Sequence, residues 1–226
     1  MKKKYKTIFL KIIGIFFLIW GIIAIINSVY NQNPSQILYL CYIGLILIGI
    51  GILAENSFII MSQVYILLIP LIVWDIDFIY WLIFQNPLWG VTDYFFLDKA
   101  FNIGKIISLQ HLFTIPLSVY AAKLIGLKRK DAWKWSFIQI FIVFITVSLF
   151  SPEESNVNCI FKPCMNIELT PPYKITWFIA IFSMTFLSSL IINKILFKGN
   201  FRINNRKRVQ GKPASFLSRL AKYNFA

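Results

Sequence analysis

Asp75 and Asp77 stand in the string Trp74-Asp75-Ile76-Asp77-Phe78, inside an apolar run from about Phe58 to Phe84. The only histidine, His111, lies in another apolar run, where Ser108, His111, Thr114 and Ser118 recur at spacings of three, three and four. That spacing lines one face of a helix with polar groups. An acid, an imidazole and nearby hydroxyls can act as a proton relay, a cation site or a general-base pair that activates a nucleophile. The competing reading is structural: a buried Asp–His bond that fixes packing, with Ser and Thr bonded back to their own helix. A charge at bilayer depth costs at least about 2.5–3.5 kcal/mol, so an acid there marks a functional site by default. Residues two apart on a helix point about 200° apart, so only one of the two acids is expected to face a given pocket.

Long apolar runs must position these groups. The chain has 226 residues, is 58% hydrophobic and 14% charged, and has a mean hydropathy of +0.69. A soluble domain carries about 25% charged residues. The runs are too long and unbroken for the alternating strands of a membrane barrel, and helices satisfy their own backbone bonds in lipid. The sequence therefore predicts an all-α, polytopic helical bundle. It is expected to hold six spans within residues 1–198, at about 8–30, 37–54, 58–84, 105–125, 135–150 and 174–195, followed by a basic tail over 199–226. The first run, preceded by Lys2, Lys3, Lys4 and Lys6, is longer than a signal-peptide core and reads as an uncleaved span. Pro70 is expected to kink span three, and Gly44 and Gly51 to share a close-packed face of span two.

The net charge of +14 is concentrated at the termini and in the connection 123–134. With both termini cytoplasmic, 19 of the 23 Lys and Arg fall on the cytoplasmic side, leaving Lys99, Lys105, Lys162 and Lys174 outside. This is the positive-inside pattern of a multi-pass cell-membrane protein, and it argues against a nucleic-acid partner. The bilayer is the expected partner. The tail segment 213–226 could place Phe216, Leu217 and Leu220 on one helix face beside Arg219 and Lys222, against anionic headgroups, or stay a frayed basic end.

This topology gives depths. Asp75 lies nine residues from the outer end of span three, roughly 13 Å, and His111 six residues into span four, roughly 9 Å. Both fall in the outer half of the membrane, beneath the connections 85–104 and 151–173. Cys159 and Cys164, five apart outside the cytoplasm, either close a small disulfide loop or stay as thiols. Cys41 reads as a small core residue. One histidine is too few for a zinc site, no metal is expected, and no Walker, Rossmann, haem-attachment or serine-elbow motif implies a cofactor.

Asp77-Phe78, Gly90-Val91-Thr92-x-Tyr94-x-Phe96, Ser108-Leu109-x-His111 with Pro116, and Asn156-Val157-Asn158 together resemble a group of small prokaryotic integral membrane proteins of unassigned activity. The resemblance covers roughly residues 74–165 and implies that these positions, Asn156 and Asn158 included, belong to one site. It implies no activity, and the Cys159…Cys164 pair lies outside the pattern. A fainter likeness to six-span lipid hydrolases that pair a Thr with a His finds no suitably placed Thr here. The leading expectation is binding or transport of a small solute or cation through a polar pocket in the outer half of the membrane. The alternatives are a membrane-embedded hydrolase or transferase acting on a lipid or isoprenoid-linked substrate, with His111 as general base, and a structural subunit of a membrane complex. The small size and the lack of an internal repeat fit a homo- or hetero-oligomer better than a stand-alone pump.

Overall fold

A computed structural model of the chain describes residues 3–97, 102–127, 129–166 and 172–210, with side chains between 4 and 196. Lys99, Lys128, Glu168 and the tail segment 213–226 lie outside the described residues. The regular elements are helices: α1 (Lys3–Tyr30), α2 (Leu40–Leu53), α3 (Ser57–Phe84), α4 (Asp93–Phe96), α5 (Ile103–Ser108), α6 (Gln110–Ile125), α7 (Trp133–Phe150) and α8 (Tyr173–Gln210). Among the described residues, four helices are long and apolar enough to cross a membrane: Lys4–Tyr30, Ser57–Phe84, Trp133–Phe150 and Tyr173–Leu196. The chain is an all-helical membrane protein.

Two of the six expected spans take a different form. Residues 37–54 do not make one helix: a tight 3-10 turn, Pro34–Leu38, precedes α2, which has 14 residues and rises about 21 Å. The α-helical hydrogen-bond pattern of the expected span 105–125 is interrupted at Leu109, whose N–H bonds the Ile106 carbonyl three residues back while its backbone stays right-handed helical, φ −61° and ψ −12°. α3, in contrast, continues through Pro70.

The pairs α1–α2, α2–α3, α1–α6, α3–α6 and α7–α8 run antiparallel while α3 and α7 run parallel, and side-chain contacts fix their register. Between α1 and α6, Phe9 meets Tyr120 and Phe16 meets Phe113. Between α7 and α8, Trp133, Phe137 and Phe144 meet Phe186, Phe182 and Trp177 in descending order. α2 is wedged between α1 and α3 because glycine lets it approach both. A Cβ on Gly49 would lie 3.0 Å from the Gly14 carbonyl oxygen of α1, and one on Gly44 would lie 2.6 Å from Leu67 of α3. Gly51, seven residues after Gly44, likewise meets Ile60, seven residues before Leu67. Close backbone approach of this kind supplies the dispersion contact that lipid-embedded helices depend on.

The connections sort to two ends of the bundle. At one end Ser57 Oγ donates to the Gly126 carbonyl, and Arg129, paired with Asp131 at 2.6 Å, lies over Phe58. At the other, Ser155 Oγ donates to Asn33 Oδ1, and Asn166 N–H donates to the Trp89 carbonyl. Ile8, Ile12, Ile15, Ile19, Ile22 and Ile26 are exposed along one side of α1, a stripe suited to lipid rather than water. The chain divides into two compact units, 1–190 and 191–226, and the groups described below belong to the first.

Candidate functional site

The two acids of α3 have separate surroundings, as their angular spacing requires. Asp77 is fully buried. Its Oδ1 accepts from the N–H groups of Leu88 (3.1 Å) and Trp89 (2.7 Å). Its Oδ2 accepts from the N–H (2.8 Å) and hydroxyl (2.7 Å) of Thr92. Four donors saturate the carboxylate, so Asp77 pins the connection after α3 and has no lone pair left for a pocket. The turn it holds contains Gly90 at φ +81°, where a Cβ would also collide with the Asn166 side chain.

Trp74 organises the next layer. Its ring stacks on Phe78 at 4.8 Å and lies 4.6 Å from the His111 ring, tilted by 51°. Its Nε1–H donates to the Tyr94 hydroxyl (3.0 Å), which donates to Ser108 Oγ (2.9 Å), which in turn donates to the Gly104 carbonyl (2.9 Å). The chain of donors ends on backbone. Ser108 is therefore committed, and its proton goes to a carbonyl rather than to His111. Thr114 and Ser118 likewise donate to carbonyls one turn back, Gln110 and Thr114.

Among the buried polar atoms with no hydrogen-bond partner in the described residues are Asp75 Oδ1, Gln110 Nε2 and His111 Nδ1, with Trp81 Nε1 and Asp93 Oδ1 nearer the connection after α3. Asp75 Oδ1, Gln110 Nε2 and His111 Nδ1 are themselves covered; Gln110 is fully buried, whereas Asp75 and His111 are half-buried. Asp75 is eighteen residues from Ser57, five full turns, and so leaves the same face of α3 that meets the end of α6. The register set by Ser57–Gly126 and Trp74–His111 puts Asp75 level with residues 108–110. Gln110 Oε1 is engaged by Thr114 Oγ1 at 2.6 Å, and in either amide orientation one atom of the carboxamide is left over. The Ser108 carbonyl lies near the His111 ring without meeting Nδ1 in hydrogen-bonding geometry. The interruption at Leu109 is next to all of them. Asp75 and His111 therefore belong to one level of the α3–α6 interface, together with Gln110, which the stripe Ser108-His111-Thr114-Ser118 omits because it lies one residue off that face.

Asn156 and Asn158 are elsewhere, and both hold backbone rather than facing this level. Asn158 Oδ1 accepts from Leu40 N–H (2.8 Å) while its Nδ2 donates to the Leu38 carbonyl (2.9 Å). Asn156 Oδ1 accepts from the N–H groups of Phe161 and Lys162, both at 3.1 Å. Both asparagines have left-handed backbone, φ 37° and 56°, which asparagine tolerates better than most residues. Cys159 and Cys164 form a disulfide with Cα atoms 5.5 Å apart, and α8 braces this loop through Tyr173 and Trp177, which donate to the carbonyls of Cys159 and Asn158.

A further polar pair has no counterpart in the motifs above. Gln63 of α3 and Gln139 of α7 exchange two hydrogen bonds, 2.8 and 3.1 Å, while Ser136 Oγ donates to the Ser62 carbonyl. Single glutamines in otherwise apolar runs are the available sequence signal. Among the described residues, no three of His, Cys, Asp and Glu gather closely enough to hold a metal ion. No protein-family model, curated protein or solved structure matches this chain.

Proposed function

We propose that the chain is a six-span protein of the cell membrane with both termini in the cytoplasm, and that it binds a small polar solute or cation in the outer half of the bilayer. In this reading the 3-10 turn with α2 forms the second crossing, and α5 with α6 forms the fourth, interrupted at the ligand. The sorting of connections to two ends, together with the basic residues in the cytoplasmic set, supports that topology. Anionic headgroups are the partners proposed for the basic tail, and a homo- or hetero-oligomer is the form that fits a chain of this size.

One observation carries the binding function: Asp75 Oδ1 on α3 and Gln110 Nε2 and His111 Nδ1 on α6 are covered and without partners at one level of the α3–α6 interface. An unmet buried polar atom costs about 1–3 kcal/mol. A small polar solute that both donates and accepts would meet the Asp75 oxygen and the Gln110 Nε2–H, whereas a cation would meet the Asp75 oxygen and require the carboxamide turned to present Oε1. The test is purification in native lipid followed by mass spectrometry of what stays bound. Wild type should retain a small polar species that Asp75→Asn and Gln110→Leu lose while still inserting and unfolding cooperatively. Wild-type protein that retains none, or variants that bind as wild type does, would contradict the reading.

A further inference from the structure

At the end of the bundle where α1 and α7 finish, a cleft of about 660 Å³ opens between the turn 31–35 and the segment 150–155. Its volume lies in the range of ligand sites, about 300–1,000 Å³. We propose that this cleft binds an uncharged, hydroxyl-rich group, a sugar ring, carried by a glycolipid or presented as free oligosaccharide. The lining chemistry selects that class. Asn31, Gln32 and Asn33 offer three successive carboxamides, and Ser35 and Ser155 offer hydroxyls. The Asn31 and Gln32 carboxamides both donate and accept, Asn33 donates through its NH₂, and the Ser35 and Ser155 oxygens accept, their protons being held by Asn33 Oδ1; together these meet the donors and acceptors of sugar hydroxyls. Phe150, 77% exposed, supplies an apolar wall for the C–H face of a ring. No lining residue is charged, and the exposed Glu153 and Glu154 beside the cleft disfavour anions such as phosphate.

The cleft is also built to hold its shape. Asn33 Oδ1 accepts from Ser35 Oγ at 2.6 Å and from Ser155 Oγ at 3.1 Å, which orients its carboxamide and leaves the NH₂ as a donor. Gln32 is kept in left-handed backbone, φ 55°, while the N–H groups of Gln32 and Asn33 close the end of α1 on the carbonyls of Val29 and Ser28. Behind the cleft, Asn158 grips Leu38 and Leu40 from the same connection that carries Ser155. Walls fixed by cross-bonds between two loops lower the ordering cost of binding.

Hydrogen exchange on the full chain in phosphatidylcholine nanodiscs tests this. The amides of 31–35 and 153–156 should gain protection when maltose is added to the buffer or when a monoglucosyl diacylglycerol is included in the disc. Protection by maltose identifies a free glycan as sufficient; protection by the glucosyl lipid alone identifies the lipid-borne sugar. Phe150→Ala, at a site exposed enough to leave folding intact, should weaken the effect about tenfold, equivalent to ~1.4 kcal/mol. No protection with either sugar, or equal protection by phosphatidylglycerol, would overturn the proposal.

Discussion

Trp74 and His111 meet across α3 and α6 with ring centroids 4.6 Å apart, and the residue after the first and the residue before the second each carry an unpartnered buried atom. The same tryptophan is tied through the Tyr94 hydroxyl to Ser108. One aromatic side chain thus connects the strap 85–97, the helix interruption and the proposed ligand site.

Asp77 and Asp75 should separate cleanly on substitution. Asp77→Asn replaces an acceptor oxygen that takes hydrogen bonds from backbone and hydroxyl donors. Charged hydrogen bonds contribute about 1.5–3 kcal/mol each, so losing the two on one oxygen is expected to cost roughly 3–6 kcal/mol. Thermal unfolding in detergent reads it, with faster hydrogen exchange at 88–92 as the local signature. Asp75→Asn should unfold at close to the wild-type temperature.

Tyr94→Phe removes the acceptor for the Trp74 indole and the donor to Ser108 without changing ring packing. Each lost bond is expected to cost about 0.5–1.5 kcal/mol. The indole should then report a changed environment: the fluorescence difference between this variant and wild type should vanish when both also carry Trp74→Phe.

The fold was legible because the runs that became α1, α3, α7 and α8 are long, apolar and bounded by polar connections. α2 and the α5–α6 pair were harder to read, because hydropathy registers apolar length and not the geometry of a turn. A 3-10 turn at Pro34–Leu38 and a shift to a three-residue bond at Leu109 leave the apolar pattern nearly unchanged. At the site, residue type pointed to Asp75, Asp77 and His111, but the partners of Asp77 are backbone N–H groups eleven to fifteen residues on, which no side-chain motif encodes. Gln110 went unread for a related reason: its significance lies in what it lacks.

Gln63 and Gln139 should behave as a coupled pair. Gln63→Leu or Gln139→Leu alone leaves an amide unmet in an apolar interface, whereas the double substitution removes both. Interhelical hydrogen bonds in membranes are worth about 0.6 kcal/mol on average and up to about 1.7. A double-mutant cycle on unfolding free energy should return a coupling in that range, with the double variant less destabilised than the two singles added together.

Because His111 is the chain's single histidine, its ring nitrogens give one isolated set of ¹⁵N resonances. Titrating the protein in nanodiscs with sodium, potassium and ammonium salts, and with the species that co-purifies, measures occupation of the site at the atom beside it. The account expects a saturable shift of the His111 Nδ1 resonance with at least one of these in wild type, abolished by Asp75→Asn. A resonance that responds to none of them, or that shifts equally in the variant, would contradict it.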